Sequence, residues 1–89
     1  MPRMVITHAV QDVERWLTGK AARAEAIESA SGSNVTDYVA VDGSNNIAVS
    51  ADVADVDAIK GMLASPPPEI LARMEEHGVV PPFTAYIEA

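Results

Sequence analysis

Cysteine is absent from this sequence of 89 residues, and basic residues are few. Without cysteine there is no disulfide framework, no thiolate nucleophile and no cysteine-based zinc site. Six Lys and Arg residues, scattered singly, stand against 13 Asp and Glu residues, which gives a formal net charge of -7. Nucleic acids and anionic membranes bind clusters of basic side chains, so we expect neither as a partner. Solubility is a sufficient explanation for the acidity.

Other signals are missing as well. No apolar run approaches the ~20 residues of a membrane span, and the opening "MPRMVITHAV" lacks the regions of a secretion signal. We therefore expect a cytoplasmic protein. There is no G-x-G-x-x-G or other phosphate-binding loop and no metal-ligand spacing, so we expect neither a cofactor nor a metal ion.

Apolar residues, by contrast, are abundant, at 48% of a chain that is long enough for one domain, residues 1–89. A chain of this size buries only ~60–65% of the surface that its unfolded form exposes. We therefore expect part of the apolar surface to serve contact with a second chain.

Hydrophobic periodicity predicts the element order β-α-β-β-α-α-β. Strands are predicted at residues 4–10, 35–41, 46–53 and 83–88. A single first helix is predicted to begin after Asp12, an N-cap residue, and to run through Gly19 to Ile27. Asp55 is predicted to cap the second helix, and Pro68 to be the first residue of the third. Gly78 is predicted to end that third helix.

This order predicts an α+β, ferredoxin-like domain, in which the helices cover one face of a four-stranded antiparallel sheet. The uncovered face would carry Tyr38, Tyr86, Ala40 and Ala48 together with Thr and Ser side chains. A sheet face of that character favours packing against a second sheet. We expect a homodimer whose two sheets close into an α/β barrel around a shared interior.

Three segments of the sequence resemble the dimeric α/β-barrel superfamily, which includes small proteins similar to antibiotic biosynthesis monooxygenases and polyketide cyclases. They are "HAVQDVERW", "VAVDGSNNIAVSADV" and "LASPPPEILARMEEHGVVPP". The resemblance spans nearly the whole chain. It implies a homodimeric, cofactor-independent oxygenase or cyclase acting on a small apolar or aromatic molecule in a barrel cavity. The alternative is a non-catalytic ligand-binding, stress-related or accessory module of the same fold, because members of one fold differ in function.

His8 is the candidate catalytic residue, since a histidine transfers protons near neutral pH. Its alternative interpretation is an ordinary strand histidine. The sequence leaves open whether the set with Val5, Thr7 and Ala9 or the set with His8 faces the interior. Trp16 lies on the apolar stripe of the first helix, where it is either a packing anchor or a pocket wall.

Hydroxyl groups on the strands are the candidate ligand contacts. Tyr38, Tyr86, Thr36 and Ser50 would orient a polar aromatic ligand in a cavity, because such groups are costly in a dry core. The alternative is ordinary packing at a dimer interface. Two strand carboxylates, Asp37 and Asp52, are predicted to be exposed at edges. His77 is predicted to lie at a helix C-terminus, where a cation is favourable.

Overall fold

The computed structural model describes residues 2–89, in the order β-α-α-β-β-α-α-β. The strands are β1 (Arg3–Val10), β2 (Gly32–Val39), β3 (Asn46–Val53) and β4 (Val79–Ile87). The helices are α1 (Val13–Leu17), α2 (Lys20–Ser29), α3 (Val56–Ala64) and α4 (Pro68–Glu76). Within the described residues, no helix is long and apolar enough to cross a membrane.

The strands form one antiparallel sheet in the order β2-β3-β1-β4. Alternate residues of the two central strands, among them Met4, Val10, Val49 and Val53, are buried under the helices. Trp16, Ile27 and Ile59 are the helix residues buried against them. The predicted α+β, ferredoxin-like fold is confirmed.

The predicted helix ends agree with the structure. The Asp12 carboxylate accepts from the backbone N–H groups of Glu14 and Arg15, and the Asp55 carboxylate accepts from that of Ala58. Pro68 is the first residue of α4, and Gly78 follows its C-cap with φ +71. These signals are local, because each cap bonds within its own first turn.

The predicted single first helix is wrong, because the chain breaks at Thr18 and Gly19 into α1 and α2. Gly19 is buried, and a methyl group placed on it would overlap the His77 imidazole. The break therefore lets a distant side chain approach the backbone. The bounds of two strands also differ by more than one residue: β2 covers residues 32–39 instead of 35–41, and β4 begins at Val79 instead of Phe83.

Candidate functional site

A cavity of about 110 Å³ lies between the sheet and the helices. Its walls are mainly apolar, and its polar side chains are few. They are those of His8, Arg23, Arg73 and His77, with the indole of Trp16. Its lining resembles that of ligand sites, which are concave and apolar with a few placed polar groups, although most such sites are larger, at roughly 300–1,000 Å³.

His8 projects from the helix-covered face of β1, together with the buried Met4 and Val10. The sequence left open which side of β1 faces the helices, and the structure shows that it is the side of His8. The β1–β4 register shifts at this point, since Thr7 pairs with Thr84 while Ala9 pairs with Val80. Residues 81–83 therefore oppose His8. Irregularities of this kind often change the direction of a side chain next to a functional site.

Two aromatic rings contact the His8 imidazole edge-on. The ring centroids are 5.0 Å apart for Phe83 and 6.3 Å apart for Trp16. His8 Nδ1 lies 2.8 Å from the carbonyl oxygen of Ala9. Because a carbonyl only accepts, Nδ1 carries the proton and Nε2 is left with a free lone pair.

The surroundings of the His8 ring favour its neutral form. Burial lowers its pKa below the ordinary value of 6.5, and Arg23 lowers it further, while the bond to Ala9 acts in the opposite direction. At neutral pH, His8 is therefore a base with a defined tautomer. Among residues 2–89 no hydrogen-bond partner is found for Nε2.

Trp16 is fully buried and lines the cavity, so that it is both a packing anchor and a wall. The Arg23 guanidinium lies 3.9 Å from the centroid of the Trp16 ring and donates to the Trp16 carbonyl oxygen at 3.2 Å. Cation–π contacts of this kind stabilise a guanidinium that has left bulk water.

An ion pair between Arg23 and Asp37 stands beside the cavity. Nε and Nη2 of Arg23 donate to the two carboxylate oxygens of Asp37, each at 3.2 Å. The Asp37 side chain is only 3% exposed and that of Arg23 14%. The predicted exposure of Asp37 is wrong: β2 is an edge strand, but this carboxylate points toward the helices and meets Arg23 there.

The predicted hydroxyl groups lie on the opposite, uncovered face of the sheet. Tyr38 Oη lies 2.9 Å from Ser50 Oγ, which accepts from Arg3 Nη2 at 2.8 Å. The bond to Ser50 first, and the neighbouring Arg3 guanidinium next, lower the pKa of the Tyr38 phenol. Thr36 pairs with Ser50 across the strands, and Tyr86 pairs with Val5.

Asp52 belongs to the same polar network. Its carboxylate accepts from Asn34 at 2.7 Å and from Arg3 at 3.0 Å, and these bonds lower its pKa. The Asp52 side chain is 25% exposed. The prediction of an exposed carboxylate therefore describes Asp52 better than Asp37, although Asp52 is half-buried and paired.

The structure thus separates the six predicted site residues. His8 and Trp16 line the cavity under the helices, whereas Thr36, Ser50 and Tyr86 lie on the uncovered face, away from it. Tyr38 is on that face too, and it borders an open depression of about 550 Å³ at the sheet end, which His8 also reaches. Within residues 2–89, no three His, Asp or Glu side chains are placed to hold a metal ion.

The comparisons with known proteins identify the fold. No family model and no curated protein matches this chain. Solved structures do match, over almost the whole length of both chains. The chain has the fold of the antibiotic biosynthesis monooxygenases. This confirms the resemblance at the level of the fold.

Three of these structures illustrate the likeness. SnoaB from Streptomyces nogalater, a cofactor-independent oxygenase solved as a point mutant, has a TM-score of 0.66 at 17% identity, with 99% of this chain and 90% of that chain covered. A Bordetella bronchiseptica protein provisionally named an antibiotic biosynthesis monooxygenase has a TM-score of 0.72 at 12% identity, with 99% and 94% covered. A further antibiotic biosynthesis monooxygenase has a TM-score of 0.67 at 10% identity, with 100% and 97% covered.

Sequence reasoning did not assign Arg23, Arg73, His77 or Phe83 to a site on this monooxygenase fold. One signal for Arg23 was present, since Asp37 alternates with Val35 and Val39 on one face of the predicted strand. A charged side chain on an otherwise apolar face is rarely buried unless it has a partner of opposite charge. The roles of Arg73 and His77 depend on the packing of α4, and no local pattern predicts that packing.

Proposed function

We propose that this protein is a small cofactor-independent oxygenase of the oxygenase/cyclase type, which binds a small apolar or aromatic molecule between its sheet and its helices. His8 is its general base. One observation carries the proposal: the Nδ1–H group of His8 bonds to Ala9, so that a neutral ring with a free Nε2 lines an apolar cavity. The fold shared with SnoaB, itself a cofactor-independent oxygenase, supports the same reaction class.

The chemistry requires a base because molecular oxygen reacts with electron-rich carbanions. Nε2 removes a proton from a CH₂ group that lies between an aromatic ring and a carbonyl. The anion attacks oxygen, and the resulting peroxide loses water. The CH₂ group gives up four electrons and becomes a carbonyl, while O₂ supplies one oxygen atom to the product and one to water.

We further propose that two copies associate through the uncovered sheet face, closing an α/β barrel. The large side chains on this face, Tyr38 and Tyr86, are 45% and 57% exposed. In a dimer the hydroxyl network of Tyr38, Ser50 and Arg3 would be enclosed with its hydrogen bonds already made, which limits the cost of burying it.

Deuterium exchange tests the base without oxygen. Phenylacetone has an aromatic ring, a carbonyl and the required CH₂ group, and under argon in D₂O we expect the wild-type protein to accelerate exchange of its benzylic hydrogens. His8→Asn retains an N–H donor near the Nδ1 position and removes Nε2, so the exchange rate should fall at least about 100-fold. His8→Gln is compared with His8→Asn, since both variants lack the base and His8→Gln also loses the bond to Ala9.

In air, with phenylacetone as the substrate, an oxygen electrode should record oxygen consumption by the wild-type protein and by neither His8 variant. The rate should fall as the pH is lowered through the pKa of His8, which lies below 6.5 because the ring is buried. Protonated His8 cannot accept a proton, which fixes the sign of this dependence. Exchange that is unchanged in His8→Asn would contradict the assignment of the base.

A second candidate function, a non-catalytic ligand-binding module, is favoured by one feature of His8. Its Nδ1 partner is a backbone carbonyl, so no carboxylate strengthens the base. Binding of phenylacetone without exchange and without oxygen consumption would support this module over the oxygenase.

A further inference from the structure

We infer that the ligand of this cavity is an aromatic or apolar acid whose anionic group is bound by Arg73 at the cavity rim. The inference deepens the proposed function and rests on the same cavity. It concerns the chemical class of the ligand, which neither the fold nor His8 determines.

The charge of the cavity walls is opposite to that of the protein. The whole chain carries 13 acidic residues against six Lys and Arg residues. The cavity is lined by two guanidinium groups, those of Arg23 and Arg73, and by no carboxylate among the described residues. A cavity whose charged side chains are all cationic, in an acidic protein, is complementary to an anion and disfavours ligands with an exposed ammonium group.

The two arginines differ in how far their charges are compensated. Arg23 is paired with Asp37 through two hydrogen bonds and also bonds to the Trp16 carbonyl. Arg73 makes one long hydrogen bond, 3.4 Å from Nη1 to the carbonyl oxygen of Ala22, and in residues 2–89 it has no ion-pair partner. Arg73 is therefore the guanidinium that remains available for a carboxylate, which it can bind through two parallel hydrogen bonds.

The position of Arg73 suits this role. It lies on α4 with Ile70 and Met74, which also line the cavity, and its side chain is exposed. His8 lies on the sheet, at the other side of the cavity. A ligand held by Arg73 through its acid group would place its apolar body between helices and sheet. The solvent-exposed rim is also where an anion loses the least hydration.

Matched ligands test the charge preference. We propose to titrate the protein with 3-phenylpropanoate and with 3-phenylpropanamide, which share shape and differ in charge, by calorimetry under argon. The fluorescence of Trp16 gives an independent readout, since it is the only tryptophan and lines the cavity. The acid should bind about tenfold more tightly than the amide, because hydrogen bonds to charged groups are the stronger ones.

Arg73→Gln should weaken binding of the acid about tenfold and leave binding of the amide unchanged. Arg and Gln have similar helix propensities, so α4 should be retained. Lys60→Gln is the control, because it removes one positive charge from an exposed position of α3 outside the cavity. Equal binding of acid and amide, no binding of either, or an equal loss in Arg73→Gln and Lys60→Gln would each overturn the inference.

The two proposals fail separately. If the acid binds selectively through Arg73 but no ketone exchanges deuterium, the oxygenase proposal fails and the inference stands. If phenylacetone exchanges in a His8-dependent way but the acid has no advantage over the amide, the inference alone fails.

Discussion

At the scale of single residues, the Arg23–Asp37 ion pair joins helix α2 to the edge strand β2. Both side chains are largely removed from water, and Arg23 also lies against Trp16. Removing one partner from such a pair leaves a buried charge uncompensated, which costs more than the intact pair contributes.

We predict that Asp37→Asn lowers the free energy of unfolding by about 3 kcal/mol, close to the range for broken buried pairs. Urea unfolding followed by circular dichroism gives the value. Asp52→Asn is the matched control, since it breaks the more exposed pair with Arg3 and should cost about 1 kcal/mol or less. Equal losses in the two variants would mean that burial does not distinguish these pairs.

The case of Asp37 explains why parts of the site could not be predicted from the sequence. Alternation placed the carboxylate on the valine face of β2, but the sequence does not say that this face meets a helix arginine 14 residues earlier. The face of His8 depended in the same way on which side of the sheet the helices cover. Residue type indicated His8, and only the tertiary structure gave its surroundings.

At the scale of elements, the junction of α1 and α2 depends on contact with the end of α4. Gly19 is buried where the His77 ring packs, and Arg15 donates to the carbonyl oxygens of Glu75 and Glu76 at 2.9 Å and 2.6 Å. These contacts therefore hold α1 against the end of α4, next to the cavity.

We predict that Gly19→Ala lowers the free energy of unfolding by about 1–3 kcal/mol, the usual cost of overpacking. The backbone is not the cause, because Gly19 has an ordinary φ of -90. Gly61→Ala, in the middle of α3 with open space where the added methyl group would lie, should instead stabilise the protein by about 0.5–1 kcal/mol. Urea unfolding of both variants makes the comparison.

A double variant identifies the contact responsible. His77→Ala creates room for the added methyl group, so Gly19→Ala should cost much less in that background. A cost of the same size in both backgrounds would exclude the His77 contact as the reason for glycine at this position.

The elements themselves were largely predictable, since capping residues, turn residues and periodicity act within a few residues of each other. The break at Gly19 was not, because the apolar stripe continues across it and its cause lies in His77. The early start of β4 was hidden by Pro81 and Pro82, which interrupt a strand pattern. An edge strand tolerates them, because a missing N–H group there costs no ladder bond.

At the scale of the whole molecule, the uncovered sheet face is the surface that we propose for a second copy. Four strands of eight or nine residues give a projected area of roughly 500 Å² at standard strand spacing and rise. Two such faces together bury roughly 1,000 Å², which is at the lower end for a specific interface. The association should therefore be sensitive to a single unfavourable side chain at its centre.

We predict that the wild-type protein sediments at micromolar concentration as a dimer of 18.8 kDa, twice the chain mass of 9.4 kDa. Ala48 lies on β3, next to Tyr38 and Thr7 on the uncovered face, so Ala48→Arg should give a monomer. A guanidinium buried there without a partner opposes association.

Val41→Arg adds the same charge at a fully exposed position after β2 and should leave the dimer intact. Sedimentation of the wild-type protein at 9.4 kDa would contradict the barrel, and dissociation of both variants would point to net charge instead of this face.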